Sequence, residues 1–412
     1  MSSILSLLQL KGRQAEAVTA RDVNLSVTAG AGSGKTRTLV GRYLALLAEG
    51  LPLRSLVAIT FTEKAAREMR SRIRRYVEEL MAERQDSNLW ESAFAELDAA
   101  RIGTIHSLCA AILRAHPAEA AIDPGFEVLE EGMAAVLRAQ ALDNALVWAT
   151  TDPDVARLFA LLKEHELRRV LNTLLNRRLD AVPAFAALSD DPLAVWSARL
   201  AAWLDERLTA QNWRDSLETL ASLQARNPHD KLELARRQVL AHWDEVETAR
   251  AGGDPQTLFA SLTALRSATY IGGAKGNWDT GELIAAREAM TMLRAHYDAE
   301  IAPLVSKNKP VSWALDQQAA EALPHLRRLF EHTLAEYEQL KEARRALDFD
   351  DLEARAVALL ENNADVRARW QSEIHAVLVD EFQDTNERQR RIVYALTGFS
   401  TPPQPSSCQG EG

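Results

Sequence analysis

Cysteine is nearly absent: Cys109 and Cys408 are the only two in 412 residues, and they lie far apart. That excludes a secreted disulfide scaffold and a zinc site built mainly on cysteine. Positive charge is not in excess either, with 48 Lys and Arg against 58 Asp and Glu and a net charge of −10. A uniformly basic protein that coats DNA is thereby excluded, although an enzyme needing only a local basic groove is not. No stretch reaches the roughly 18 uncharged apolar residues of a membrane span. The apolar start, Met1 to Leu10, is short, lacks a basic flank and runs straight into Lys11-Gly12-Arg13-Gln14, so it does not read as a signal peptide. The default compartment is the cytoplasm.

What is present is an ordinary globular balance, 47% hydrophobic and 26% charged, on a chain long enough for two or three domains. From about Gln14 to Ala115 short β-like runs alternate with helical ones, which suggests a parallel α/β unit. Strands are expected at Asn24–Ala29, Ser55–Phe61 and Arg101–Thr104, and helices at Gly34–Ala48, Glu63–Met81 and Ile105–Arg114. From about Ala118 to Ala346 apolar residues recur three and four apart, as in Val128, Leu129, Met133, Val136, Leu137 and Ala141. That region reads as a large helical insertion without a repeat of fixed period. From Asp348 the α/β texture returns, with a helix over Asp351–Glu361, a strand over Ala376–Val379 and a helix over Glu387–Leu396. The expected division is therefore 1–115 and 347–400 for the α/β domain and 116–346 for the insertion. Residues 401–412 read as a disordered tail, in the manner of sequence after a frameshift or premature end.

The strongest local signal is Ala29-Gly30-Ala31-Gly32-Ser33-Gly34-Lys35-Thr36, placed between an expected strand and an expected helix. Small residues let backbone N–H groups close around phosphate oxygens at a helix N-terminus. Lys35 then reaches the β- and γ-phosphates of ATP and the Thr36 hydroxyl binds Mg²⁺. A flexible glycine-rich turn is the bland alternative, and the strand–loop–helix setting argues against it.

Such a loop needs a carboxylate from the end of a neighbouring strand. Val377-Leu378-Val379-Asp380-Glu381-Phe382-Gln383-Asp384-Thr385 supplies one, at the carboxyl edge where open α/β sheets bind ligands. Asp380 is the candidate for holding Mg²⁺, and Glu381 for polarising the attacking water as general base. An Asp-Glu pair that merely opens a solvated turn is common on its own. The phosphate-binding loop far upstream makes that reading the weaker one.

The pair of motifs resembles the UvrD/Rep-type superfamily 1 DNA helicases, whose second motif reads Asp-Glu-Phe-Gln-Asp. Leu10 to Ala17, with Gln14, resembles the family's Q motif, which implies adenine recognition by Gln14. Ala58 to Met69 resembles motif Ia, Gly103 to Ser107 motif Ic, and Leu347-Asp348-Phe349-Asp350-Asp351-Leu352 the acidic stretch that leads to motif II. The 274 residues from His106 to Asp380 are similar to the RecB/AddA-like helicase–nuclease subunits, with their large helical insert. The resemblance implies a RecA-like P-loop sheet, domain 1A, with an all-helical domain 1B inserted. It implies ATP-driven movement on single-stranded or partly unwound DNA, 3′–5′, in repair or recombination, and a helicase–nuclease partner subunit. Gln383 joins the ATP site on the same ground. A second RecA-like domain with an arginine finger is expected of the family and is not found after Thr385.

Single-stranded DNA is then expected across the top of the sheet. Lys64, Arg67, Arg70, Arg72, Arg74 and Arg75 are offset only by Glu63 and Glu68, and phosphate tracking needs such a stripe. Phe61 is placed to stack on a base, and Thr60, Thr62, Thr104 and His106 to meet phosphates. The plainer readings are a solvated helix face for the arginines, core packing for Phe61 and a satisfied loop histidine for His106. Seven tryptophans in the insertion suit core packing better than stacking. Cys109 reads as a small buried apolar residue. Two other functions compete with a helicase: a switch or scaffold that binds ATP and DNA without unwinding, and a head-domain repair ATPase. The Phe-Gln-Asp-Thr string argues against the last.

Overall fold

The computed structural model describes residues 2–21, 23–28, 30, 32–82, 87–305 and 313–398. The expected tail at 401–412, and Ala29 and Ala31 of the phosphate-binding loop, lie outside the described residues. The protein is mostly helical around a small parallel sheet, and it divides into two compact units: residues 1–144 with 334–412, and residues 145–333.

In the first unit the chain forms α1 (Ser2–Leu7), α2 (Arg13–Thr19), α3 (Lys35–Ala48), β1 (Leu56–Thr60), α4 (Glu63–Ala82), α5 (Ser87–Glu96), β2 (Arg101–Thr104) and α6 (Ile105–Ala115). A two-residue strand, β3 (Glu127–Val128), precedes α7 (Glu131–Ala149), in which the chain leaves this unit. After the second unit it pairs β4 (Ala346–Leu347) with β3. It then continues through α17 (Phe349–Asn362), α18 (Ala364–Glu373), β5 (Ala376–Val379) and α19 (Glu387–Thr397).

The main sheet runs β2-β1-β5, all parallel, with Thr60 in register with Thr104 and Ile59 with Val379. All five residues of β1 are buried, as a parallel strand covered on both faces requires. Leu56 and Ala58 point into one core with Leu44, Met69 and Ile73 from α3 and α4. Val57 and Ile59 point into the other, with Ile112, Leu352 and Ile392 from α6, α17 and α19.

The strand expected at Asn24–Ala29 does not form. Residues 24–28 have no regular structure, and Val23, Leu25 and Val27 are 57%, 42% and 49% exposed. The alternation of apolar residues is there, but a strand exists only through a paired neighbour, and neither edge of the described sheet pairs with this segment.

The second unit contains α8 (Leu158–Leu161), α9 (Glu164–Asn176), α10 (Arg178–Ala186), α11 (Pro192–Leu208), α12 (Gln211–Ser222), α13 (Lys231–Gly252), α14 (Pro255–Ala268) and α15 (Thr280–His296), followed by much of α16 (Trp313–Ala343). Its largest core gathers Trp213, Leu220, Val239, Leu262, Met290 and Leu293 from α12 to α15. Trp213 is fully buried and stacks on Trp243 at 5.9 Å, and Trp278 is buried too. Trp213 and Trp278 are packing residues. No described helix is long and apolar enough to cross a membrane.

Candidate nucleotide and nucleic-acid site

The carboxyl ends of β1, β2 and β5 lie along one edge of the sheet, and this edge collects the residues singled out by motif. Gly34 opens α3 at φ +87°, a left-handed conformation that glycine reaches without strain, and Gly32 sits at φ +73°. Ser33 closes the turn by donating from its hydroxyl to the Gly30 carbonyl at 2.7 Å. Gln14 reaches the same loop from α2, its side-chain amide donating to the Ser33 carbonyl at 2.8 Å. A Cβ on Gly34 would come within 3.2 Å of that amide, so the loop and Gln14 are fitted to each other.

Lys35 and Thr36 form the first turn of α3, and motif II comes to meet them from the far end of the chain. The Asp380 amide donates to the Ile59 carbonyl at 2.9 Å, which extends the β1–β5 ladder one residue and fixes the carboxylate at the sheet edge. Burial pushes the Asp380 carboxyl above its ordinary value, the Glu381 charge adds to this, and Lys35 and the Thr36 hydroxyl oppose it. Glu381 is held below its ordinary value by a hydrogen bond from Gln383 and by the Lys35 charge. Its carboxylate lies 3.5 Å from the Lys35 ammonium. Glu381 also adopts φ +52°, a left-handed conformation costly for a residue with a Cβ. An exposed loop of small residues, one cation, one hydroxyl and two carboxylates of opposite tendency suits the polyphosphate and divalent cation of Mg-ATP. Thr36 and Asp380 are the residues that could hold the metal.

Farther along the edge, Thr60 and Thr104 sit side by side in the sheet register, both buried. Their hydroxyls are engaged locally: Thr60 donates to the Thr62 carbonyl at 3.2 Å and Thr104 to Glu63 at 3.0 Å. Thr104 also caps α6 by accepting from the Ser107 amide, and the Thr62 hydroxyl accepts from the Ala65 amide at the start of α4. Phe61 is 39% exposed rather than in the core, on the rim of a depression also lined by Thr60, Ile105, His106, Thr385 and Gln389.

The arginine stripe of α4 is largely spent within the unit. Arg70 donates to the Ile102 carbonyl at 2.6 Å, Arg74 pairs with Asp98 at 2.6 Å and lies over Phe94, and Arg75 pairs with Glu79 at 3.6 Å. Arg72 approaches Glu68 at 3.9 Å. Lys64 and Arg67, nearest the sheet edge, are exposed. Charge along a helix is visible in sequence, but its partners on β2 and on the segment before it are not.

His106 is not a loop residue. It lies in the first turn of α6, stacked on Phe349 with centroids 4.3 Å apart, its Nε2 3.1 Å from the Glu353 carboxylate. Glu353, Asn386 and Gln389 were not singled out by motif. The one signal available was the Asn-x-x-Gln spacing at 386–389, which forms a capping box at the start of α19. Cys109 is fully buried and its thiol is pushed upward by burial.

Known proteins resemble this chain in sequence. The family model described as the UvrD/REP helicase N-terminal domain matches residues 10–401. The chain is 27% identical over 430 residues to an ATP-dependent helicase/nuclease subunit of Listeria welshimeri serovar 6b, covering 93% of this chain and 33% of that protein. It is 27% identical over 425 residues to the protein of the same name from Listeria monocytogenes serotype 4b, with the same coverage. To that of Exiguobacterium sibiricum it is 28% identical over 411 residues, covering 94% and 34%. The chain spans about a third of the length of these relatives.

Proposed function

Since the chain belongs to the UvrD/REP helicase N-terminal domain family, we propose that it is the ATP-binding part of a DNA helicase, a RecA-like domain 1A with helical domain 1B inserted. It couples ATP hydrolysis to movement on single-stranded DNA, 3′–5′, in repair or recombination, alongside a partner subunit of a helicase–nuclease. The observation that carries the reading is the meeting of Lys35 and Thr36 with Asp380 and Glu381 at one sheet edge. In this reading Gly30, Gly32, Ser33 and Gly34 present amides to the phosphates, with Ala29 and Ala31 in the same loop, and Gln14 recognises adenine. When bound, Mg²⁺ neutralises charge on the phosphates, held by Thr36 and Asp380. Lys35 exchanges Glu381 for phosphate oxygens, which frees the carboxylate to take a proton from the attacking water. Gln383, hydrogen-bonded to Glu381, completes the ATP site in this reading.

DNA follows the edge past Thr60, Phe61, Thr62, Lys64, Arg67, Thr104 and His106. Phe61 stacks on a base, the exposed Thr62, Lys64 and Arg67 meet phosphates, and the buried Thr60 and Thr104 shape the edge beneath the strand. The family's arginine finger belongs to a further domain, and such a finger is worth roughly 10³–10⁵ in rate. These 412 residues alone are therefore expected to bind nucleotide and single strands but to hydrolyse feebly and unwind nothing. The test is binding of labelled oligo-dT and of duplex to the purified chain, with a strand-separation assay on the same sample. Preference for the single strand without separation is expected. Equal affinity for both, or robust ATP-dependent separation, would contradict the reading.

A further inference from the structure

Glu353 lies in α17, just after the acidic stretch, and its side chain is only 3% exposed. It gathers donors from two other helices. His106 Nε2 on α6 lies 3.1 Å from Oε1, and the Gln389 amide on α19 donates to the same oxygen at 2.6 Å. Asn386, the cap of α19, donates to Oε2 at 3.0 Å, and the Arg388 guanidinium lies 3.5 Å from it. Burial pushes the carboxyl upward, but the hydrogen bonds from His106, Gln389 and Asn386 outweigh it and hold Glu353 below the usual carboxylate range. A single buried charge thus satisfies side chains from both sides of the motif II loop. Replacing it strands several of them at once.

The position of these partners gives the cluster its meaning. Asn386 follows Glu381 by five residues, and the segment between them is one tight turn, Phe382–Asp384, closed by the Asp384 amide on the Glu381 carbonyl at 2.9 Å. There is little slack in it, so a change at Glu381 reaches Asn386 and the start of α19. At the other side, His106 is two residues from Thr104, which caps α6 and pairs in register with Thr60 on the edge beside Phe61. His106 and Gln389 both line the depression under Phe61.

We infer that Glu353 is a positioning residue that couples nucleotide binding at Lys35 and Glu381 to the strand-facing edge at Phe61 and His106, through hydrogen bonds that tie His106 to the first turn of α19. The inference rests on the proposed function, since it needs both ligands to bind this unit. It assigns Glu353 no contact with either ligand.

The test measures coupling rather than affinity. A fluorescent, non-hydrolysable ATP analogue with Mg²⁺ is titrated into the 412-residue chain with and without saturating oligo-dT. The ratio of the two dissociation constants is the coupling, typically about 5–150-fold where two sites communicate. In Glu353→Gln, nucleotide affinity without DNA should stay within about twofold of the unaltered chain while the logarithm of the ratio falls by half or more without reaching zero. The ratio should also fall in His106→Ala, and the double variant should fall no further, the mark of residues acting through one contact. Thermal unfolding is followed in parallel. If Glu353→Gln does not fold, Gln389→Met, which keeps the carboxylate and His106 but removes the shortest bond, carries the test and should lose at least half of the logarithm of the ratio. Retention of the full ratio in a folded variant, or independent losses that multiply in the double variant, would overturn the inference, as would an uncoupled response in the unaltered chain. Failure of the unaltered chain to bind nucleotide or oligo-dT at all would instead overturn the proposed function.

Discussion

Lys341, in the last turns of α16, is only 1% exposed, so its ammonium is fully committed to the protein. It donates to Asp351 at 2.5 Å, meets Glu338 at 2.8 Å and lies 4.7 Å from the Tyr337 ring centroid. Asp351 and Asp348 form the capping box that starts α17, and the Tyr337 hydroxyl donates to Asp348 at 2.7 Å. The acidic stretch before motif II is thereby the anchor between α16 and α17. Lys341→Met keeps the apolar stem and removes the charge. Breaking a buried pair from one side typically costs about 3–5 kcal/mol. The Asp348 amide, which donates to the same Asp351 oxygen at 3.1 Å, stays in place. The expected loss is therefore at the low end, about 3 kcal/mol. Removing the stranded charge as well, in Lys341→Met with Asp351→Asn, should recover about half of it. Hydrogen exchange of the α17 amides in the native chain is the suitable assay, because it reads local opening. About 3 kcal/mol corresponds to roughly a hundredfold faster exchange through the first turn of α17. A change below about fivefold, with the double variant no better than the single one, would show that Lys341 does not hold this helix.

Three further outcomes follow from other sites. Lys64→Ala with Arg67→Ala should lower the slope of log affinity against log salt for oligo-dT by about 1.4, near 0.7 per phosphate contact on single strands, as measured by anisotropy between low and physiological salt. Arg74→Ala, whose guanidinium is already paired with Asp98, should leave that slope unchanged, and a matching drop would return the whole stripe to DNA. In the second unit, burial pushes the Glu233 carboxyl upward, but Arg236 and Arg237 outweigh it and hold the carboxyl at about 2 against an ordinary 4.5. A depressed carboxyl contributes stability that is complete above its ordinary value and lost as pH falls through the folded value. About 3 kcal/mol should therefore disappear between about pH 4.5 and 2, and Glu233→Gln should remove that acid sensitivity from urea midpoints read by tryptophan fluorescence. An acid loss of the same size in Glu233→Gln would contradict this.

The meeting of Lys35 and Thr36 with Asp380 and Glu381 was legible because its cues are local. An apolar run that ends in Asp-Glu, and small residues before a Lys-Thr helix start, each declare their geometry within ten residues. The failures are all failures of distant pairing. Asn24 to Thr28 alternates as a strand does, but strand formation depends on a neighbour that the segment does not meet among the described residues. Arg70 and Arg74 look available until the Ile102 carbonyl and Asp98 are brought against them. Glu353 resembles any surface glutamate, since His106 and Gln389 reach it from other helices. Conversely, Trp213 and Cys109 were readable as core because helical spacing carries burial directly.

The claim on which the rest depends is that this chain binds Mg-ATP between the loop that ends at Lys35 and the carboxylates of motif II. Isothermal titration of a non-hydrolysable ATP analogue with Mg²⁺ into three chains tests it: the unaltered one, Lys35→Ala and Glu381→Gln. Lys35 supplies charge-assisted hydrogen bonds worth about 1.5–3 kcal/mol, so Lys35→Ala should bind roughly 10- to 100-fold more weakly. Glu381→Gln, which releases Lys35 from the ion pair seen at 3.5 Å, should bind at least as well as the unaltered chain. Equal affinity in Lys35→Ala, or loss of binding in Glu381→Gln, would contradict the assignment of this site.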